Sequence, residues 1–247
     1  SATGVVIENR SAITGGNGGN SMSGSPTAAG SVAGAGGAGV VLGSGTLNNT
    51  SSASIRGGNS GFSGGMVGLS MNNHGGAGVS MTGGVLTNAG FISGGNGLAG
   101  GAGVEMTGAG TIVNAGAIQG GMIGGGTSAD SVLMSGDGGR LELRDGYSFL
   151  GRVNSTGIGN VLALGGDVDS SFNLTHWGNG YLGFSSTMEK TGNSTWLLTG
   201  QATQAPNWTV KSGTLSFTSA PSSEVPAPRS RWATPPWPTP LSAAKQR

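Results

Sequence analysis

The chain has 247 residues and is nearly neutral, with 11 Lys and Arg against 10 Asp and Glu, so it lacks the clustered cations that binding to nucleic acid requires. It has no Cys, which excludes disulfides and thiolate chemistry, and no apolar run approaches the ~18–20 residues of a membrane helix. Its 54 Gly and 9 Pro put it near the low-complexity range, yet charge is sparse and 35% of residues are apolar, the reverse of what keeps a disordered chain soluble.

From the N-terminus onward a phrase repeats. Val5-Val-Ile7 leads to Ile13-Thr-Gly-Gly-Asn17, and Val40-Val-Leu42, then Leu47, leads to Ile55-Arg-Gly-Gly-Asn59. Val79-Ser-Met81, Leu86 and Ile92-Ser-Gly-Gly-Asn96 follow, and then Val104-Glu-Met106, Ile112 and Ile118-Gln-Gly-Gly-Met122. Three copies open with the same Gly-Ala-Gly, at Gly37, Gly76 and Gly101. Repeats of this kind mark a solenoid in which each unit stacks on the next. Within a copy apolar residues alternate with small or polar ones, so one set of side chains faces inward from short strands of three to five residues. Frequent Gly and the lack of a 3.6-residue apolar stripe exclude helices.

This pattern predicts an all-β chain, a right-handed parallel β-helix with coils of roughly 25 residues and Gly at sharp corners. Stacking should set Ile13, Ile55, Ile92 and Ile118 above one another in a narrow core. It should also align Asn9, Asn49, Asn88 and Asn114 as a ladder, because Asn tolerates turn conformations and bonds nearby backbone. Ser93, one residue after Ile92, is expected to face solvent. The copies differ mainly after the Gly-Gly pair, over residues 17–36, 59–75 and 96–100, so loops of variable length should gather on one face, where a binding function would sit.

From about Asp130 charges and aromatics appear. Arg140-Leu-Glu-Leu-Arg144 alternates, which places Leu141 and Leu143 inside and the charges in water. Asp145-Gly146 reads as a turn before Tyr147-Ser-Phe149. Val161-Leu-Ala-Leu164 with Gly165-Gly166, Tyr181-Leu-Gly-Phe184, Glu189-Lys-Thr-Gly192, Thr195-Trp-Leu-Leu-Thr-Gly200, Trp208-Thr-Val210 and Gly213-Thr-Leu215 continue the series of strands and corners. Three segments follow: residues 1–129 as Gly-rich coils with variable loops, 130–219 as an aromatic C-terminal cap, and 220–247 as a tail without β periodicity. Seven of the nine prolines fall in that tail, so it is expected to be disordered.

The ordered run from Arg140 to Leu215 resembles the C-terminal end of an autotransporter passenger domain, the exported part of the type V secretion system of Gram-negative bacteria. The resemblance rests on a Leu-x-Leu strand, a Gly-Tyr-Ser turn, an apolar strand ending Leu-Gly-Gly, Tyr-x-Gly-Phe, Glu-Lys-Thr-Gly, Thr-Trp-x-Leu-Thr-Gly, a Trp-x-Val strand and Gly-Thr-Leu, all in order. It implies an adhesin-type β-helix stalk at the cell surface or secreted, exported through an outer-membrane β-barrel translocator in the parent protein. It also implies that the matched segment folds first, and Tyr181, Phe184, Trp196 and Trp208 would bury enough area to do so. The tail departs from the family's continuation, and no series of alternating ten-residue strands follows Leu215; a truncated or frameshifted end would explain both.

Catalytic motifs do not hold up as readings. Gly61-Phe-Ser-Gly-Gly65 matches Gly-x-Ser-x-Gly, but that motif needs a strand-to-helix turn, and no Asp precedes Asp130 to complete a triad of Ser63 with His74. Gly34-Ala-Gly-Gly-Ala-Gly39 matches a dinucleotide fingerprint yet runs into Val40-Val-Leu42 and not into a helix. Asp167 and Asp169 would share one side of a strand, as paired acids of a polysaccharide-cleaving β-helix do, but nearby partners are missing, and solvated turn acids are the better reading. His74 and His176 lack neighbouring ligand residues for a metal. The expected role is therefore non-catalytic, without cofactor, metal, nucleic-acid partner or integral membrane segment: adhesion to host-surface glycans or matrix, or self-association. Competing expectations are a stalk carrying a protease or esterase domain upstream, and a remnant without function.

Overall fold

A computed structural model describes residues 4–20, 33–62, 74–124, 126–184, 187–202 and 206–218. Strands follow one another in short steps. The first coil contains β1 (Val6–Asn9) and β2 (Ala12–Thr14), and the second β3 (Val40–Leu42), β4 (Thr46–Asn49) and β5 (Ser54–Arg56). Next come β6 (Val79–Met81), β7 (Gly84–Asn88) and β8 (Phe91–Ser93), then β9 (Val104–Met106), β10 (Gly110–Asn114) and β11 (Ala117–Gln119). The fifth coil has β12 (Val132–Met134), β13 (Arg140–Leu143) and β14 (Ser148–Leu150), and the sixth β15 (Val153–Ser155), β16 (Val161–Leu164) and β17 (Ser170–Asn173). A 3-10 turn (Leu174–His176) precedes β18 (Tyr181–Leu182), β19 (Thr187–Lys190), β20 (Thr195–Thr199), β21 (Asn207–Val210) and β22 (Thr214–Phe217).

Equivalent strands of successive coils pair in parallel. One sheet runs β1-β4-β7-β10-β13-β16-β19-β21 and a second β3-β6-β9-β12-β15-β18. The third face is β2-β5-β8-β11-β14, and a separate sheet β17-β20-β22 follows it. The chain is thus a parallel β-helix, as the alternation predicts. Coils are not uniform: Arg140 pairs with Val161, 21 residues on, whereas Val6 pairs with Thr46, 40 residues on. The expected 25-residue coil misses the reason, which is an excursion inserted between the third and second faces.

Parallel register turns sequence columns into the core. Ile13, Ile55, Ile92, Ile118 and Phe149 stack in one column, and Val40, Val79, Val104, Val132, Val153 and Tyr181 in another. Leu47, Leu86, Ile112, Leu141 and Leu162 form a third, all fully buried. The Asn ladder forms as expected. Asn9 Nδ2 donates to Asn49 Oδ1 at 2.8 Å, Asn49 Nδ2 to Asn88 Oδ1 at 2.8 Å and Asn88 Nδ2 to Asn114 Oδ1 at 2.9 Å. Further along, the column changes to Leu143, Leu164 and Lys190. Asn114 Nδ2, facing Leu143, is left without a partner.

Three expectations need correction. Ser93 is not exposed; it retains 6% of its surface. It lies in register between the longer Arg56 and Gln119, which cover a small outward side chain at the ~4.8 Å spacing of paired strands. Trp208 is only half-buried, unlike Trp196, Phe184 and Tyr181, because β21 ends its sheet and no strand among the described residues covers its far side. The Gly-Gly pairs of the repeat are also not positive-φ corners; those occur elsewhere, as at Gly45, Gly146 and Gly192. Their role is close approach.

After β2, β5, β8 and β11 the chain leaves the coil, and returns to enter the next, so that outgoing and returning segments lie against each other as a wing. Its hydrogen bonds alternate between the two layers. Gly37 N–H donates to Gly16 C=O, Gly58 to Gly37, Gly76 to Gly58, Gly95 to Gly76, Gly101 to Gly95 and Gly121 to Gly101, at 2.8–2.9 Å. A Cβ at Gly76 would stand 2.1 Å from the Gly37 carbonyl oxygen, and at Gly101 2.0 Å from that of Gly76. Glycine is required there because the backbones themselves are in contact. The connections from the third face to the second count 25, 22, 10 and 12 residues in chain order, and the wing is gone where only Gly151-Arg152 joins β14 to β15.

Candidate functional site: an amide-lined trough beside the wing

Where the outgoing segments leave the third face, they form an angle with its outer surface. One wall is the outward column Thr14, Arg56, Ser93 and Gln119, in strand register. The other is Asn17, Asn59, Asn96 and Met122 on the flank of the wing. Together they line a trough of about 380 Å³. The second wall is ordered by its own side chains. Asn17 Oδ1 accepts from Asn59 N–H, Asn59 Oδ1 from Asn96 N–H and Asn96 Oδ1 from Met122 N–H, each at 2.8 Å. The three amides are exposed, and each keeps its Nδ2 donor without a partner within the described residues. Coil stacking spaces these donors by ~4.8 Å. Among the described residues Arg56 is the only charged one of the lining, its guanidinium 4.7 Å from the Phe91 ring centroid.

Such a surface offers repeated neutral hydrogen-bond donors and one planar cation beside an aromatic ring. Among the described residues of its lining no carboxylates pair and no base faces a nucleophile; what it presents is hydrogen-bond donors and acceptors. The variable loops that begin at Asn17, Asn59 and Asn96 are where the sequence leads one to expect a binding function, but their stacking as a second ladder is seen only in the fold. The signal was present in the Gly-Gly-Asn that ends three of the copies.

The other motifs are dispersed. Ser63 and the tail lie outside the described residues. His74 pairs with Ala99 in the wing, and His176 belongs to the 3-10 turn. Gly39 leads straight into β3. Asp167 and Asp169 precede β17 instead of sharing a strand; both are exposed, and each caps the next coil. Asp167 Oδ1 accepts from Asn193 Nδ2 at 3.2 Å and Asp169 Oδ1 from Thr195 N–H at 2.7 Å. Among the described residues no three His, Cys, Asp or Glu side chains gather to hold a metal ion, and no helix is long and apolar enough to cross a membrane.

Two charged features have structural roles. On the outer surface of the first sheet Glu189 meets Arg140 and Lys211, and Glu142 meets Arg140 and Arg144. Burial alone would raise the Glu189 carboxyl, but Lys211 and Arg140 outweigh it and hold it low. Lys190 points inward and is fully buried. Its Nζ donates to the carbonyls of Thr191 at 2.6 Å, Gly192 at 3.1 Å and Ser212 at 3.4 Å. Burial pushes this amine below its ordinary 10.5, against the opposing pull of Glu142, Asp167 and Asp169.

The folded chain therefore releases the Lys190 proton at lower pH than the unfolded chain does. The cost of burying the ammonium is full below the folded value and vanishes as pH rises past the unfolded one. The urea midpoint of the wild type, relative to Lys190→Met, should accordingly rise as the pH climbs toward about 10.5 from neutrality. A constant difference across that range would show that the amine is not desolvated.

Comparison with family models, with curated proteins and with solved structures finds no match for this chain.

Proposed function

We propose that the chain is the stalk of an autotransporter-type passenger, presented at the surface of a Gram-negative cell through a β-barrel translocator, and that its trough adheres to neutral, hydroxyl-rich glycans. The observation that carries the adhesive part is the row of exposed Nδ2 donors on Asn17, Asn59 and Asn96, without partners among the described residues, beside Arg56 and Gln119. A polymer with hydroxyls at regular intervals matches donors at regular intervals, and many weak bonds in series add up along a rod. The placement in the secretion family is supported by the motif order from Arg140 to Leu215 and by the parallel β-helix that this order implies.

The test is binding of the purified chain to an array of immobilised neutral glycans. Asn59→Asp keeps the Oδ1 acceptor that orders the wall and removes the donor. It should weaken array binding about tenfold, the equivalent of one good hydrogen bond, while Val41→Ser on the second face changes nothing. Absence of glycan binding, or indifference to Asn59→Asp, would overturn the adhesive reading. Self-association has one observation in its favour: Phe62 and Leu98, 73% and 57% exposed, line a common groove on the wing. Sedimentation velocity separates the two, since a chain that dimerises but ignores glycans supports the second.

A further inference from the structure

On its third face the β-helix is split. β14 pairs only with β11, and β17 opens a new sheet. Ser148 N–H donates to Gly116 C=O at 2.9 Å, and Leu150 C=O accepts from Gly120 N–H at 3.0 Å. In a parallel ladder alternate residues bond to opposite sides, so the N–H and C=O of Phe149 point away from β11, toward β17. On β17 the edge toward β14 includes Ser171, whose carbonyl accepts from the Tyr147 hydroxyl at 3.1 Å. Across this gap the two strands do not bond each other.

Aromatic rings hold the split open. Tyr181 lies 5.0 Å from Phe172 and 6.1 Å from Phe149, centroid to centroid, and Tyr147 lies 5.9 Å from Trp196. Burial raises the Tyr181 hydroxyl far above its ordinary range and raises that of Tyr147 as well, so both remain neutral donors at any physiological pH. The result is a cleft of about 340 Å³ whose lining contains no Asp, Glu, Lys or Arg.

We propose that this split is a docking slot for one extended, uncharged peptide segment of a partner protein, which pairs its main chain with the free edge at Phe149 and with the Ser171 N–H, the Ser171 carbonyl being held by the Tyr147 hydroxyl, and seats an apolar side chain among Tyr147, Phe172 and Tyr181. Unpaired strand edges are templates for another strand, and main-chain pairing with a pocket for alternate side chains is a known mode of peptide recognition. β14 offers three residues and β17 four, which sets the length of the segment. Walls without a carboxylate, Lys or Arg, and with His176 as their one imidazole, favour an uncharged occupant. The slot is independent of the glycan trough, which lies beside the wing on earlier coils.

The experiment uses the 15N-labelled chain and the peptide acetyl-Thr-Val-Thr-Phe-Thr-amide. In the free protein the Phe149 and Ser171 amides should exchange with solvent much faster than the Leu150 amide, which is bonded to β11. Peptide should shift the Phe149 and Ser171 resonances and slow their exchange, and N-methylation of its alternate residues should weaken binding about tenfold or more. Phe149→Pro removes a donor that the fold does not use, and should lose the peptide while keeping the far-UV spectrum. If that variant fails to fold, the wild-type exchange and N-methyl measurements decide. Slow Phe149 exchange in the free chain, equal binding of the N-methylated peptide, or shifts of these two amides by methyl glucoside but not by peptide would each overturn the proposal.

Discussion

Gly95→Val should lower the unfolding midpoint of the chain by more than any substitution on the outer surface of the coils. A Cβ at Gly95 would stand 1.9 Å from the carbonyl oxygen of Gly58 and 2.5 Å from its carbon. Both are backbone atoms held in the alternating hydrogen bonds of the wing, so neither can rotate aside. Relief requires the outgoing segment of one coil to part from that of the coil before, with loss of bonds on both sides. Overpacking of side chains costs ~1–3 kcal/mol; displacement of paired backbone should exceed ~3 kcal/mol. Gly16→Ala is the matched control, since nothing lies within 4 Å of its Cβ and its φ is not in the left-handed region. It should be neutral or stabilising by up to ~1 kcal/mol through the unfolded state. Far-UV circular dichroism in urea measures both. Equal midpoints would mean that the wing does not pack layer against layer.

Ile92→Asp should be comparably damaging. Ile92 is fully buried between Ile55 and Ile118, and no cation lies in that column. An unpaired carboxylate there must either stay charged in an apolar core or take up a proton, at a cost of several kcal/mol, ~3–5. Val41→Asp, at a strand position 75% exposed, is the reference and should leave the midpoint within ~0.5 kcal/mol. Ser93, itself covered by its neighbours, cannot serve as that reference. Similar losses for Ile92→Asp and Val41→Asp would reverse the inward and outward assignment.

Both substitutions bear on what could be read from the chain alone. Period-two alternation identified Ile92 as a core position and Asn88 as a rung, because each depends only on local sequence and on the repeat. Ser93 escaped because its cover comes from Arg56 and Gln119, residues of other coils whose reach is not encoded at position 93. Lys190 was legible as a strand residue but not as an inward one. Charge ordinarily argues for solvent, and only the carbonyls of Thr191, Gly192 and Ser212 converging on one point reverse that. The wing was visible as variable loops, yet its construction was not: Gly-Gly reads equally as corner or as contact. The trough was half legible, in the recurring Asn after Gly-Gly, while the third-face wall that completes it required the fold. The split beside β14 gave no sequence signal at all, since Tyr147, Phe149 and Tyr181 read as ordinary core aromatics.

The inner Asn column has a sense as well as a position. Each of Asn9, Asn49 and Asn88 donates toward the C-terminal end and each of the next three accepts from the N-terminal end. Rotating one amide by half a turn would set donor against donor on one side and acceptor against acceptor on the other. Four side chains from four coils therefore flip together or not at all. The carbonyls of Ser54, Phe91 and Ala117, each accepting from an Nδ2 of the column, choose between the two collective arrangements. Aligned dipoles of this kind strengthen one another. The column thus behaves as a one-bit array: a single orientational state shared over more than a hundred residues of chain, written by the backbone and broken only as a unit.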